Sequence, residues 1–222
     1  MLFASQSLIV WPFYIKWTVV ILFLYGLIAP LIVSAYVYDF SKYYEFNWLD
    51  KYNFKDANTT KIVNINAGFD ETSFIIKNRF PKSDLKVFDF YNEEDHTESA
   101  IKRARKVSLT YPGTQVIRTN RIPVESKSVD VVFLLSSAHE IRSNSEKTIF
   151  LSECNRILKP KGKIILVEHL RDLPNFLAFS IGYTHFFSKK TWKDVFSKAS
   201  LKLSKEVKFT PFMSVFSFSK LN

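Results

Sequence analysis

The stretch Val129–Asp172, VDVVFLLSSAHEIRSNSEKTIFLSECNRILKPKGKIILVEHLRD, decides the fold. VDVVFLL and KIILV are continuous apolar runs of strand length. Runs apolar on both faces suit a parallel sheet that helices cover on each side. Between them, Ile149, Leu151, Cys154, Ile157 and Leu158 recur at roughly helical spacing. Strand, helix and strand in this order make one βαβ unit. In open sheets of this kind, ligands bind beyond the carboxyl ends of the strands. His139, Glu140, Glu168, His169, Arg171 and Asp172 fall at those ends.

Working outward, Lys61–Ile65, Leu85–Phe90 and Thr114–Arg118 read as three earlier strands. Glu71–Arg79 reads as a helix stopped before Pro81, and Thr97–Val107 as a basic helix. Further on, Leu173–Ile181 and Lys190–Ser200 read as helices. Glu206–Thr210 and Met213–Ser219 read as strands that form a hairpin around Pro211. The expected fold is α/β: a Rossmann-like, seven-stranded, mostly parallel sheet with an antiparallel last strand and helices on both faces. An N-terminal hydrophobic helix precedes it.

The chain has 222 residues, enough for one ordinary domain and a little more. Its single cysteine, Cys154, rules out an intramolecular disulfide and reads as an inert thiol on the apolar side of a helix. The formal net charge is +10, spread along the chain and densest at Lys102, Arg103, Arg105 and Lys106. That cluster suits a solvated helix face or attraction to an anionic membrane surface. No nucleic-acid partner is expected, because no recognisable binding motif accompanies the charge.

Trp17–Val37, WTVVILFLYGLIAPLIVSAYV, carries no charged residue. It is long enough to cross a hydrocarbon core of about 30 Å. Trp11, Tyr14, Trp17, Tyr36 and Tyr38 flank it as interfacial anchors would. A monotopic or core helix interrupted by Pro30 remains the competing reading. Lys42, Lys51 and Lys55 follow the segment and only Lys16 precedes it, which favours a carboxyl-terminal domain facing the cytoplasm. The expected organisation is a membrane anchor over 1–38, an interfacial connector over 39–60 and a carboxyl-terminal domain over 61–222.

From Lys61 to the end, the order of elements resembles the class I S-adenosylmethionine-dependent methyltransferases, of the type 11 kind. The motifs that carry the resemblance are Val129-Asp130-Val131-Val132, Ala138-His139-Glu140, Glu153 with Arg156, and Leu158-Lys159-Pro160-Lys161-Gly162. The family's cofactor loop corresponds to Val63-Asn64-Ile65-Asn66-Ala67-Gly68-Phe69-Asp70. Gly68 matches the central glycine. Asn64 stands where the family has an acid, and Asn66 and Asp70 stand where it has flanking glycines. Asn and Asp are the side chains that best tolerate left-handed backbone, so the loop keeps its course.

The resemblance implies S-adenosylmethionine as cofactor, with Asn64, Asn66, Gly68 and Ser136 around it. Asp89 follows Gly68 by about 20 residues, the spacing of an acid that binds ribose hydroxyls. Phe90 is expected on the adenine face and Asn120 at the adenine edge. His139 is the expected catalytic base, since imidazole titrates near neutrality. Glu140, His169 and His185 are expected to contact a small-molecule or lipid-like acceptor. No metal site is expected, because His96, His139, His169 and His185 show no ligand-type spacing. The competing reading is a catalytically inactive methyltransferase-like binding or scaffold protein at the membrane. Its motive is the loss of glycines in the cofactor loop.

Overall fold

The computed structural model describes residues 11–52, 60–92, 103, 105–106 and 109–221. Seven strands form one sheet: β1 (Lys61–Asn66), β2 (Asp84–Asp89), β3 (Gln115–Val116), β4 (Val129–Leu135), β5 (Leu158–His169), β6 (Leu201–Lys208) and β7 (Met213–Lys220). They lie in the order β3-β2-β1-β4-β5-β7-β6. The first five are parallel to one another, and β7 runs antiparallel between β5 and β6. The strand order reverses between β1 and β4, which opens a crevice at their carboxyl ends.

The α/β expectation holds. The two-sided apolar reading of the central strands holds in detail. Val132 and Leu134 of β4 face one core, while Val131, Phe133 and Leu135 face the other. The first core is closed by α3 (Asn144–Ile157) and α5 (Lys189–Lys198). Cys154 is buried in it, as its helical position implies, and burial pushes its thiol up and away from reactivity. Ser143 and Ser188 cap these two helices through side-chain oxygens that accept from Glu146 and Thr191 N–H groups.

The second core departs from expectation. The connector, read as a polar stretch at a membrane interface, folds onto the sheet as short helical turns at Tyr43–Glu45 and Asn47–Tyr52. Tyr43, Phe46, Trp48, Leu49 and Tyr52 are buried there against β1, β4, β5 and β7, with Ile76 of α2 (Ser73–Arg79). Each such burial removes a large ring from water, worth about 1.5–3 kcal/mol. Its polar atoms are paired too. Trp48 Nε1 donates to Tyr43 O (2.9 Å) and Tyr52 Oη to Val215 O (3.2 Å). Residues 53–59 of the connector lie outside the described residues.

Two strands are longer than the sequence suggests. Lys159–Gly162 reads as a tight turn but continues β5, with a register shift opposite Val129 and Val131. A Cβ on Gly162 would meet Val129 O at 2.9 Å, so only glycine lets the two backbones approach. β6 begins at Leu201, ahead of the expected Glu206. Of the expected basic helix at 97–107, only Arg103, Arg105 and Lys106 are among the described residues, and they are helical. His96 lies outside them.

At the amino end, α1 (Phe13–Ala35) is apolar all round and buries no residue. It is the one helix among the described residues long and apolar enough to cross a membrane. Pro30 sits inside it, and a wide π-helical turn at Tyr36–Phe40 follows. The Tyr25 hydroxyl donates to Leu177 O of α4 (Leu173–Phe179), which ties α1 to that helix.

Candidate functional site

The crevice at the ends of β1 and β4 holds a cavity of about 570 Å³. Its floor is Asn64, Ile65 and Asn66 of β1 with Leu135 and Ser136 at the end of β4. Its roof is Tyr38, Asp39, Tyr43 and Tyr44, in the segment that leaves α1. His139, His169, Phe179 and Phe186 form one side wall. Tyr44 Oη donates to Glu71 Oε2 at 2.5 Å and so latches the roof to the turn after β1. Burial raises the carboxyl pKa of Glu71.

The turn after β1 is built as a ligand cradle. Gly68 has φ +88°, a left-handed conformation that glycine adopts without strain. A Cβ there would also stand 2.7 Å from the Tyr91 ring. Asn66 Oδ1 accepts from Gly68 N (3.2 Å), and Asp70 Oδ1 accepts from Ser73 N at the start of α2 (2.9 Å). Asn64 donates to Thr72 Oγ1 and Ser73 Oγ, so it braces this helix start. Three buried polar atoms around the turn have no hydrogen-bond partner among the described residues: Asn66 Nδ2, Asp70 Oδ2 and Ser136 Oγ. Buried polar groups are normally paired, and leaving one unpaired costs about 1–3 kcal/mol. A polar ligand laid across Gly68 would satisfy them. Ser136 is held at φ +50°, an uncommon conformation for a side chain that must face the crevice.

The adjoining end of β2 is tighter. A cavity of about 150 Å³ is lined there by Asn66, Gly68, Asp70, Asp89 and Arg105. Asp89 Oδ1 accepts from Tyr91 N (2.8 Å), while Arg105 donates to Asp89 Oδ2 (2.7 Å) and to Gly68 O (3.3 Å). The same guanidinium lies 4.8 Å over the Tyr91 ring. Asp89 thus stands at the carboxyl end of β2 with its second oxygen held by the chain's own arginine. Two expectations fail at this end. Phe90 turns into the core against Phe150 (ring centroids 5.4 Å apart), because the alternation of the strand points it away from the crevice. Asn120 is exposed in the turn between Arg118 and Arg121 and lines neither cavity.

At the end of β4, His139 has carboxylates on both ring nitrogens. Nδ1 lies 2.7 Å from Glu168 Oε2 and Nε2 lies 3.1 Å from Glu140 Oε1. Glu168 Oε1 also accepts from His139 N (3.2 Å). Burial disfavours the imidazolium, but the Glu168 charge and the hydrogen bonds from both carboxylates outweigh it and raise the pKa to about 10. Burial likewise opposes a charge on Glu140, yet the His139 and His185 imidazoles draw its pKa well below the carboxylate range. A general base needs a free lone pair near neutrality, and His139 offers none in this arrangement. The base role expected from the sequence is corrected on that ground.

His185 Nε2 reaches Glu140 Oε1 at 3.6 Å, and its ring meets the His139 ring edge-on at 5.1 Å between centroids. Arg142 holds the two segments together by donating to His139 O (3.2 Å) and His185 O (2.7 Å). His169 faces the cavity and is stacked on Phe186. Its Nδ1 donates to Phe212 O (3.0 Å), which leaves Nε2 to accept from Tyr38 Oη (3.2 Å). Burial lowers its pKa, in keeping with that neutral tautomer. Arg171 and Asp172 do not pair with each other. Arg171 binds Phe186 O, while Asp172 caps α4 and pairs with Lys208 (2.9 Å). The sequence reading missed Tyr38, Tyr44, Glu71 and Arg105. The one visible signal was the run of tyrosines after the apolar helix, which reads equally as interfacial anchors.

Comparison with known proteins agrees with this geometry. Residues 84–166 match the family model of a methyltransferase domain. Over 137 residues the chain is 26% identical to the demethylmenaquinone methyltransferase of Thermotoga maritima, a match that covers 62% of this chain and 54% of that protein. The chain thus spans about half the length of that curated relative. A SAM-dependent methyltransferase from Aquifex aeolicus superposes with a TM-score of 0.56 at 17% identity, covering 86% of this chain and 98% of that one. LepI in complex with SAM superposes with a TM-score of 0.55 at 14% identity, covering 79% of this chain and 47% of that one.

Proposed function

We propose that this chain, which carries a class I S-adenosylmethionine-dependent methyltransferase domain, transfers a methyl group to a lipophilic small-molecule acceptor at a membrane. The observation that carries the reading is the placing of the 570 Å³ cavity between the turn around Gly68 and the tyrosine-rich roof that leaves α1. One anchor segment supplies both the apolar helix and the lid of the cavity. S-adenosylmethionine, when bound, supplies an electrophilic methyl group on sulfur. Gly68 lets the backbone approach this cofactor, Asn66 Nδ2 and Ser136 Oγ offer it unused hydrogen-bonding capacity, and Asp89 faces its ribose hydroxyls.

The acceptor side is aromatic and partly apolar. Phe179, Phe186 and neutral His169 offer faces for a flat ring, and Tyr38 offers a hydroxyl. Alongside lies an apolar groove of about 450 Å³ between α1 and α4, lined by residues that include Ile32, Val33, Leu177 and Phe212. Val33 and Ala178 of the groove adjoin Ser34 and Phe179 of the cavity in sequence. A hydrocarbon tail lying in the groove would leave its head group at the cavity. Leu173, Phe176, Leu177 and Ile181 are exposed on the same side as α1, so this edge suits contact with a bilayer. The catalytic domain faces the cytoplasm in this reading, by the lysine bias around α1. His139 keeps Glu140 and Glu168 in place rather than taking a proton.

A second reading, a methyltransferase-like binding protein, is favoured by the Arg105–Asp89 contact, which occupies the acid that ribose would use. Titration calorimetry of the full chain in detergent with S-adenosylmethionine separates the two. Saturable binding at one site is expected. No heat and no cross-linking at millimolar cofactor would eliminate the enzyme.

A further inference from the structure

We propose that His139, Glu140 and His185 form a binding site for one divalent transition-metal ion of the zinc type. Their donor atoms, His139 Nε2, Glu140 Oε1 and His185 Nε2, lie within 4.8 Å of one another. Two of the three separations are 3.1 and 3.6 Å. Four ligands at about 2.1 Å around a tetrahedral ion stand about 3.4 Å apart. The cluster is therefore close to ligand spacing before any ion is added, and only the third separation has to shorten.

Three further features are those of a metal centre rather than a chance contact. Glu168, which is 1% exposed, holds Nδ1 of His139 at 2.7 Å, the outer carboxylate that orients a metal-binding imidazole. That contact turns Nε2 toward Glu140 and His185. Arg142 clamps the two ligand-bearing segments through the carbonyls of His139 and His185 themselves. Glu140 is a buried carboxylate, and the Nε2 atoms of both imidazoles converge on its Oε1 at 3.1 and 3.6 Å. Two imidazoles and one carboxylate select zinc-like ions over magnesium or calcium, which prefer all-oxygen sites. Three protein ligands also leave one position open, as in catalytic zinc sites. His139 lines the large cavity, so the ion would border it.

Metal binding by these three side chains stands independently of methyl transfer. Use of the ion as a Lewis acid for an acceptor oxygen rests on the function proposed above. The experiment titrates the untagged full-length chain in detergent with zinc, and with cobalt as a visible reporter. In parallel, S-adenosylmethionine is titrated into the same samples. One equivalent of metal per chain and a tetrahedral cobalt spectrum are expected. Glu168→Gln should weaken zinc by about 10–100-fold, the usual effect of losing an outer carboxylate. His185→Ala, at a half-exposed side chain, should abolish the cobalt spectrum while circular dichroism and cofactor binding stay unchanged. Glu140→Gln should do the same. Substoichiometric metal in the wild type, or a cobalt spectrum that survives His185→Ala, would overturn the site. Loss of cofactor binding with metal binding intact would instead count against the methyltransferase reading alone.

Discussion

The carboxyl rim of the sheet has two halves of opposite character. At β1 and β4 the chain leaves a cavity of about 570 Å³, with polar atoms of Asn66 and Ser136 unpaired around it among the described residues. At β2 and β3 it leaves about 150 Å³, lined by Asp70 and Asp89, and sets its own Arg105 on Asp89. The first half is braced by a buried carboxylate network, and the second by a single half-exposed ion pair. The fold therefore specifies where a ligand sits more firmly than how its nucleoside end is held.

The largest effect is expected where the bracing is deepest. Glu168→Ala removes a carboxylate that is 1% exposed and takes the partner from His139 Nδ1 and from its backbone N–H, leaving Glu140 alone on the ring. Breaking one side of a buried charged pair costs about 3–5 kcal/mol. Urea unfolding of the variant should show that loss. A change under about 1 kcal/mol would mean that the β4 end is not the rigid half.

A second test of that half uses pH. Lys147 is buried in the first turn of α3 and its ammonium donates to Ile141 O, directly behind the His139 loop. Burial, aided by the charge of Arg142, lowers its pKa from 10.5 to about 8. The unfolded chain then binds more protons than the folded chain between those values, so stability rises with pH across that window. Below about pH 8 the full cost of charging a buried lysine is present. Lys147→Met should stabilise the fold near neutrality by about 1–3 kcal/mol and flatten the rise. Thermal melts from pH 7 to 10 measure both. An unchanged slope in the variant would show that the ammonium is fully solvated in practice.

Most of the fold was legible because its central strands are apolar on both faces. Val129–Leu135 and Lys163–Val167 admit few other readings. The edges were harder for a physical reason. β6 opens with Leu201-Lys202-Leu203-Ser204-Lys205, an edge strand whose charges face solvent, and β3 is only two residues long. The connector misled because Tyr43, Phe46 and Trp48 sit among charged neighbours, and sequence alone does not tell a ring at a membrane interface from one under a sheet. At the rim, the position of Gly68, Asp89 and Ser136 at strand ends is legible in the sequence, while Phe90 lies one step of strand alternation away from the crevice. The grouping of His185 with His139 and Glu140 was not readable, because 45 residues separate its members and only the fold closes the gap.

In the tight half, Gly68→Ala tests whether the cradle is as close as it looks. The new Cβ would meet the Tyr91 ring at 2.7 Å and would sit at φ +88°. Both effects strain the turn, by about 1–3 kcal/mol together. Cofactor binding should weaken by about tenfold or more, with the metal-independent fold intact by circular dichroism. Undiminished affinity would show that the ligand lies away from this turn.

The smallest effect is the most discriminating one. Arg105→Ala removes the partner of Asp89 but no part of the cavity at β1 and β4. Arg105 is about one-third exposed, and ion pairs of that kind contribute about 0–1 kcal/mol. If ribose hydroxyls must displace the guanidinium from Asp89, losing it should tighten S-adenosylmethionine by up to about fivefold. If Arg105 is itself a ligand for the cofactor, the same variant should bind more weakly. An inactive scaffold shows neither change, because nothing binds. Calorimetry of Arg105→Ala beside Asp89→Asn reads the sign. Asp89→Asn should weaken binding in the first case, since the acid is then the true contact. Opposite signs for the two variants make Arg105 a competitor for the ribose seat, and matching losses make the pair a joint binding element.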